Sequence, residues 1–93
     1  MVRASGELDL ATAPAMCAVL EDACAPGPVE VVVELSELTF VDAAGLAALL
    51  HGAEVARRAG GQLLLASPSR MLRRMLHLLD LAPRLPVTGD DGA

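Results

Sequence analysis

The sequence predicts an α/β domain, a sheet covered by helices, and three observations carry that expectation. Short runs of aliphatic and β-branched residues alternate with longer segments of helical period, in the order β-α-β-α-β-α. The breaks between segments fall on Gly and Pro, as at Pro26-Gly27-Pro28 and Gly60-Gly61. Each strand is joined to the next through a helix, and such crossovers run right-handed and leave the strands parallel.

The elements follow in order. Val2 to Ser5 reads as a short strand that ends at Gly6. Thr12 is placed to cap a helix that tolerates Pro14 in its first turn and runs from Ala13 to Ala23. Val29 to Leu35 holds the β-branched run Val31-Val32-Val33 and reads as a strand buried on both faces. Glu37 to Thr39 leads into Phe40-Val41, and Asp42 stands where a carboxylate would cap the next helix and complement its dipole. From Ala43 to Ala59, Leu46, Leu49, Leu50, Ala53 and Ala56 keep the 3.6-residue rhythm, and Gly60 closes the helix. Gln62 to Ala66 is an apolar strand. Ser67-Pro68 reads as an N-cap followed by proline at the first helical position. The helix it opens runs to about Leu79, with Met71, Leu72, Met75, Leu76 and Leu79 on one face. Leu85 to Val87 could form a last strand, and residues 89–93 read as a flexible tail behind a single domain of residues 1–88.

Composition narrows the function. The chain has 93 residues, enough for one domain, and 54% of them are hydrophobic, with Phe40 the sole aromatic. A base-stacking surface and an aromatic sugar platform are therefore missing. The net charge of −5, with seven Arg, no Lys and twelve acids, repels phosphate backbones and argues against direct nucleic-acid binding. The apolar runs fall far short of the roughly 20 residues of a membrane span, and the acids near the N-terminus do not suit a signal peptide. A cytoplasmic location is expected. Cys17 and Cys24 sit seven apart on a helix, roughly 10 Å along its axis. That separation exceeds disulfide reach, and two thiols without further ligands make no zinc site. They read as small hydrophobes.

Three stretches then carry a resemblance. They are Gly6-Glu7-Leu8-Asp9 with Thr12-Ala13, the run from Val31 to Leu46 containing Leu35-Ser36-Glu37-Leu38-Thr39-Phe40-Val41-Asp42-Ala43-Ala44-Gly45-Leu46, and Gly60-Gly61-Gln62-Leu63 through Ser67-Pro68 to Leu81. In that order and spacing they resemble the STAS family, named for sulfate transporters and anti-sigma-factor antagonists. The resemblance implies a mixed sheet of about four strands with helices mostly on one face. It also implies a function: the stand-alone bacterial members bind a kinase-type anti-sigma factor. The kinase phosphorylates the residue directly after the Asp of a DSSG motif, and phosphorylation breaks the complex. Here that residue is Ala43, which has no hydroxyl, and Ala44 replaces the second serine. Family members also carry a strand before the GELD segment, whereas five residues precede Gly6 here. Either the start is misassigned or the sheet lacks that strand, and then its bare edge could recruit a second copy as a homodimer.

The resemblance assigns Asp9, Thr12, Asp42, Ala43, Ala44, Gly45 and Leu46 to a partner-binding surface. Each also has a plainer reading. Asp42 could be a cap alone, Asp9 an Asx-turn residue, and Gly45 a packing requirement, since glycine inside a helix costs up to ~1 kcal/mol. Ser67 and Ser69 could accept phosphate, although an N-cap explains Ser67. Arg70, Arg73 and Arg74 could meet an acidic partner or simply be solvated. His51 and His77 stand alone, with no ligand-like spacing.

The expected function is an anti-sigma-factor antagonist-like protein that cannot be switched at Ala43. A second reading is a phosphorylation-free STAS module in a larger assembly, stressosome-like or lipid-transporting. A nucleotide or small-ligand sensor ranks lower, because Gly60-Gly61 ends a helix where a phosphate loop would open one. No nucleophile beside a base, paired carboxylates or metal cluster suggests an enzyme, and no cofactor is expected.

Overall fold

The structure is a computed structural model that describes residues 1–88. Its elements are β1 (Val2–Leu8), α1 (Ala13–Cys24), β2 (Glu30–Val41), α2 (Ala43–Arg58), β3 (Gln62–Ala66) and α3 (Arg70–Leu78). The tail expected at 89–93 lies outside the described residues.

The strands form one sheet in the order β1-β2-β3, and both pairings are parallel. A further parallel bridge joins Leu65 to Val87, flanked by hydrogen bonds from Leu65 N to Pro86 O and from Thr88 N to Leu65 O. Three strands and this bridge answer to the expected four. Their direction differs from the mixed sheet that the resemblance implied, since every described pairing is parallel. The reason lies in the connections. Each consecutive pair of strands is joined through a helix, which returns the chain to the same end of the sheet, whereas antiparallel neighbours are typically joined by a hairpin.

The strand order advances in one direction, so right-handed crossovers carry α1 and α2 to the same face. Alternate strand residues point to that face: Ala4 and Leu8, Val31, Val33 and Leu35, Leu63 and Leu65 are all buried. They form one cluster with Leu20 and Cys24 of α1, Leu46, Leu49 and Ala56 of α2, Leu72 and Leu76 of α3, and Leu85. Gly52 lets α1 approach α2, because a Cβ there would lie 2.5 Å from Leu20 Cδ1. Among the described residues the opposite face of the sheet carries no helix, which corrects the expectation that β2 is buried on both faces. Val32 is only half-buried and Glu34 stands beside it.

Other boundaries moved for identifiable reasons. β1 runs past Gly6 to Leu8, because Gly6 takes a φ of +72° within the strand beside irregularities in the pairing with β2. Glycine enters that region without strain. β2 likewise continues to Val41, since those irregularities absorb the polar segment Ser36-Glu37. Ser67-Pro68 does not open α3. Ser67 turns the chain at φ 56°, and Ser69 is the cap, its Oγ accepting from Leu72 N at 3.0 Å. The inward face of α3 is narrower than expected, since Leu72 and Leu76 are buried but Met71 and Leu79 are exposed. Cys17 and Cys24 are free, and burial pushes the Cys24 thiol up from its ordinary value, as suits a small core hydrophobe.

Candidate functional site

In a parallel sheet, all loops after the strands leave from one end, and sites gather there. Two such loops meet in this molecule. Leu8 pairs with Val41 at the last rung of β1 and β2, so the turn at 9–12 and the start of α2 emerge side by side. Asp42 N donates to Leu8 O at 3.2 Å and ties them together. The loop after β3 leaves lower, from Ala66 opposite Glu34, and then rises beside the end of β2, where Ser69, Met71 and Leu72 line a hollow with Thr39, Phe40 and Val41.

The turn at 9–12 holds itself by its own polar groups. Asp9 Oδ1 accepts from Ala11 N at 3.0 Å and Thr12 N at 3.1 Å, an Asx turn. Thr12 Oγ1 accepts from Asp9 N at 2.9 Å and donates to Glu7 O at 2.9 Å. Thr12 is therefore not the side-chain cap of α1; its hydroxyl faces back into the turn. Leu10 rides on the tip, 77% exposed.

The start of α2 is built differently. Asp42 Oδ1 accepts from Gly45 N at 2.9 Å, the expected cap. Ala43 is the first residue of the helix and exposed, and Ala44 is half-buried. Gly45 is buried against β1. A Cβ built on it would come within 2.2 Å of Leu8 O and 2.8 Å of Leu8 Cγ, so only glycine fits. Leu46 is also buried. Of the seven residues assigned to a partner surface, Gly45 and Leu46 therefore lie beneath it: they set how close the two loops sit, and cannot touch a partner as the chain stands. Asp9, Thr12, Asp42, Ala43 and Ala44 lie at or near the surface.

The same surface takes in Ala47, within the Ala43 to Leu50 stretch expected to meet a partner, and Leu10, which the sequence did not point to. Ala47, one turn after Ala43, is exposed on the same stripe of α2, and Leu10 tops the adjoining loop. A leucine between two turn-forming residues was the available signal for Leu10. Farther along α2, His51 Nε2 meets Glu21 Oε2 of α1 at 2.6 Å, and Arg57 and Arg58 both bind Glu54. These side chains tie helices and close a helix end. Among the described residues no group of three His, Cys, Asp or Glu side chains could hold a metal ion, and no helix is long and apolar enough to cross a membrane.

The arrangement offers a surface of small side chains over a capped helix start, fixed from beneath by a close contact to β1. It can dock a chain that needs near approach to a backbone. Among the described residues the strand order never reverses, so their sheet shows no switch point of the kind where open α/β sheets take nucleotides.

Comparison with known proteins agrees with this architecture. The family described as "Mlab, STAS domain" matches residues 1–86. Among solved structures, the anti-sigma factor antagonist SpoIIAA in its unphosphorylated form superposes with a TM-score of 0.68 at 25% identity, over 82% of this chain and 70% of that one. A sulfate transporter family protein from Wolinella succinogenes gives a TM-score of 0.74 at 24% identity, over 89% of this chain and 67% of that one, a likeness of fold. No curated protein matches the sequence.

Proposed function

This chain belongs to the STAS domain family, and on that premise we propose that it is a partner-docking protein of the anti-sigma-factor-antagonist type, not an enzyme. Its partner is a kinase-type anti-sigma factor, and its contact surface is the turn at 9–12 with the first turns of α2. The observation that carries this reading is the exposed Ala43 directly after the capping Asp42, beside a loop locked to it through Gly45. The position answers to the phosphoacceptor that the resemblance implies. Lacking a hydroxyl, Ala43 holds the surface in the unmodified state, where a phosphate would add about −1.5 to −2 charges. Binding is then set by partner concentration alone. The site would work in the cytoplasm of a bacterial cell, where such kinases act on transcription.

A second reading is favoured by the same alanine together with the family description. A STAS module that never carries phosphate would serve equally as a fixed scaffold in a larger assembly.

A tagged pull-down from host extract, with and without ATP, separates the two, with mass spectrometry of both bait and partners. The antagonist reading predicts recovery of a kinase-type anti-sigma factor with unmodified bait in both conditions. Recovery of assembly components and no such kinase would replace it with the scaffold reading. Phosphate on Ser67 or Ser69 with release of the kinase would overturn the claim that binding escapes the switch.

A further inference from the structure

The helix-free face of the sheet and the outer side of α3 complement one another. The register places Val32 beside Leu64, and Glu34 beside both Arg3 and Ala66. Val32, Leu64 and Ala66 thus make a half-buried apolar strip. Acids border it: Glu30 at one end, with Glu37 and Glu7 beyond Glu34, all three exposed. On these strands Arg3 is the one basic residue. An apolar strip set among carboxylates fits a helix that is apolar along one line and basic along the next.

α3 is such a helix. With Leu72 and Leu76 turned inward, its period brings Arg70, Arg74 and His77 to the outside in one ridge. Met71 and Leu78 flank that ridge, 64% and 71% exposed. The helix has no acidic residue. Its charges also differ in use from those of α2. There Arg57 and Arg58 share an ion pair with Glu54 at 2.6 and 2.9 Å, whereas neither Arg70 nor Arg74 has an ion pair among the described residues.

We propose that this chain self-associates, with α3 of one copy laid across the helix-free sheet face of a second. Met71 and Leu78 cover the Val32–Leu64 strip, while Arg70 and Arg74 face Glu34 and its neighbours. A nine-residue helix covers a small area, so the association is weak and strengthened by low salt. It leaves the turn at 9–12 and the start of α2 free.

Sedimentation equilibrium of the full chain tests this across protein concentration, at low and high salt, with circular dichroism as a check on folding. The wild type should associate with concentration and dissociate with salt. Glu34→Arg and Arg74→Glu should each weaken association about tenfold or more, and mixing the two variants should restore it, because the mixture again pairs opposite charges. A wild type that stays monomeric into the millimolar range overturns the proposal and leaves the face to another basic chain. Association that survives both reversals and high salt also overturns it and points to the β1 edge. A mixture that stays dissociated overturns it as well.

Discussion

The two helix starts at the end of the sheet are built by opposite means. The turn that leads into α1 is a closed hydrogen-bonded ring, with Asp9 and Thr12 satisfying each other and the nearby backbone. The start of α2 has one cap and a steric fit, Gly45 against Leu8. The first is a set of exposed polar contacts, each modest because water competes for the same groups. The second is a close-packed contact in which no atom can be added. One surface therefore has a soft half and a hard half, and function would tolerate change on the soft side better than on the hard one.

The largest effect that sharpens this contrast is expected at Gly45. Gly45→Val forces a side chain into the Leu8 backbone and should destabilise by about 3 kcal/mol or more, read by denaturant unfolding. A loss under 1 kcal/mol would mean the two loops can part, and the hard half is not hard. Asp42→Ala removes the single cap and should cost about 1 kcal/mol. Asp9→Ala leaves two exposed amides to water and should cost about 0.5 kcal/mol, so that it falls below Asp42→Ala in the same assay. Equal losses at the two aspartates would erase the distinction.

The smallest effect concerns the far end of α2. The hydrogen bond from Arg57, with help from Arg58, holds the Glu54 carboxyl down from the ordinary 4.5 to about 2. A depressed folded value means stability that is present above the unfolded value and lost as pH falls toward 2. Glu54→Gln should therefore melt slightly below wild type at neutral pH, and the two curves should converge near pH 2. The exposed pair makes this gap small. A gap that stays constant across that range would show that the carboxylate charge is not its source.

Much of this was legible in the sequence, for physical reasons that can be named. The alternation of strand and helix signals gave the element order, and β3 emerged with the bounds read from its apolar run, Gln62–Ala66. Asp42 was readable as a cap because an acid before a helical period has one cheap use. Ser67-Pro68 misled, because the pattern of an N-cap and proline ignores the positive φ that Ser67 takes when the chain leaves β3. Thr12 misled for a related reason: a hydroxyl before a helix can serve the preceding turn instead of the helix. The triple valine suggested two covered faces, yet β-branched residues also suit a half-covered strand. At the candidate site, the burial of Gly45 and Leu46 was not readable, since it depends on β1 arriving from more than thirty residues earlier. Leu10 escaped because a turn leucine has no chemistry to announce it.

The most direct test of the central claim is a titration of the captured kinase-type partner with purified wild type, Ala43→Asp and Ala47→Glu, with melting curves alongside. Docking over the start of α2 predicts that each variant keeps its fold and loses about tenfold or more in affinity, because burying an unpaired charge there costs at least ~1–3 kcal/mol. Wild-type affinity in both variants would contradict the claim and place the partner on another face of the molecule.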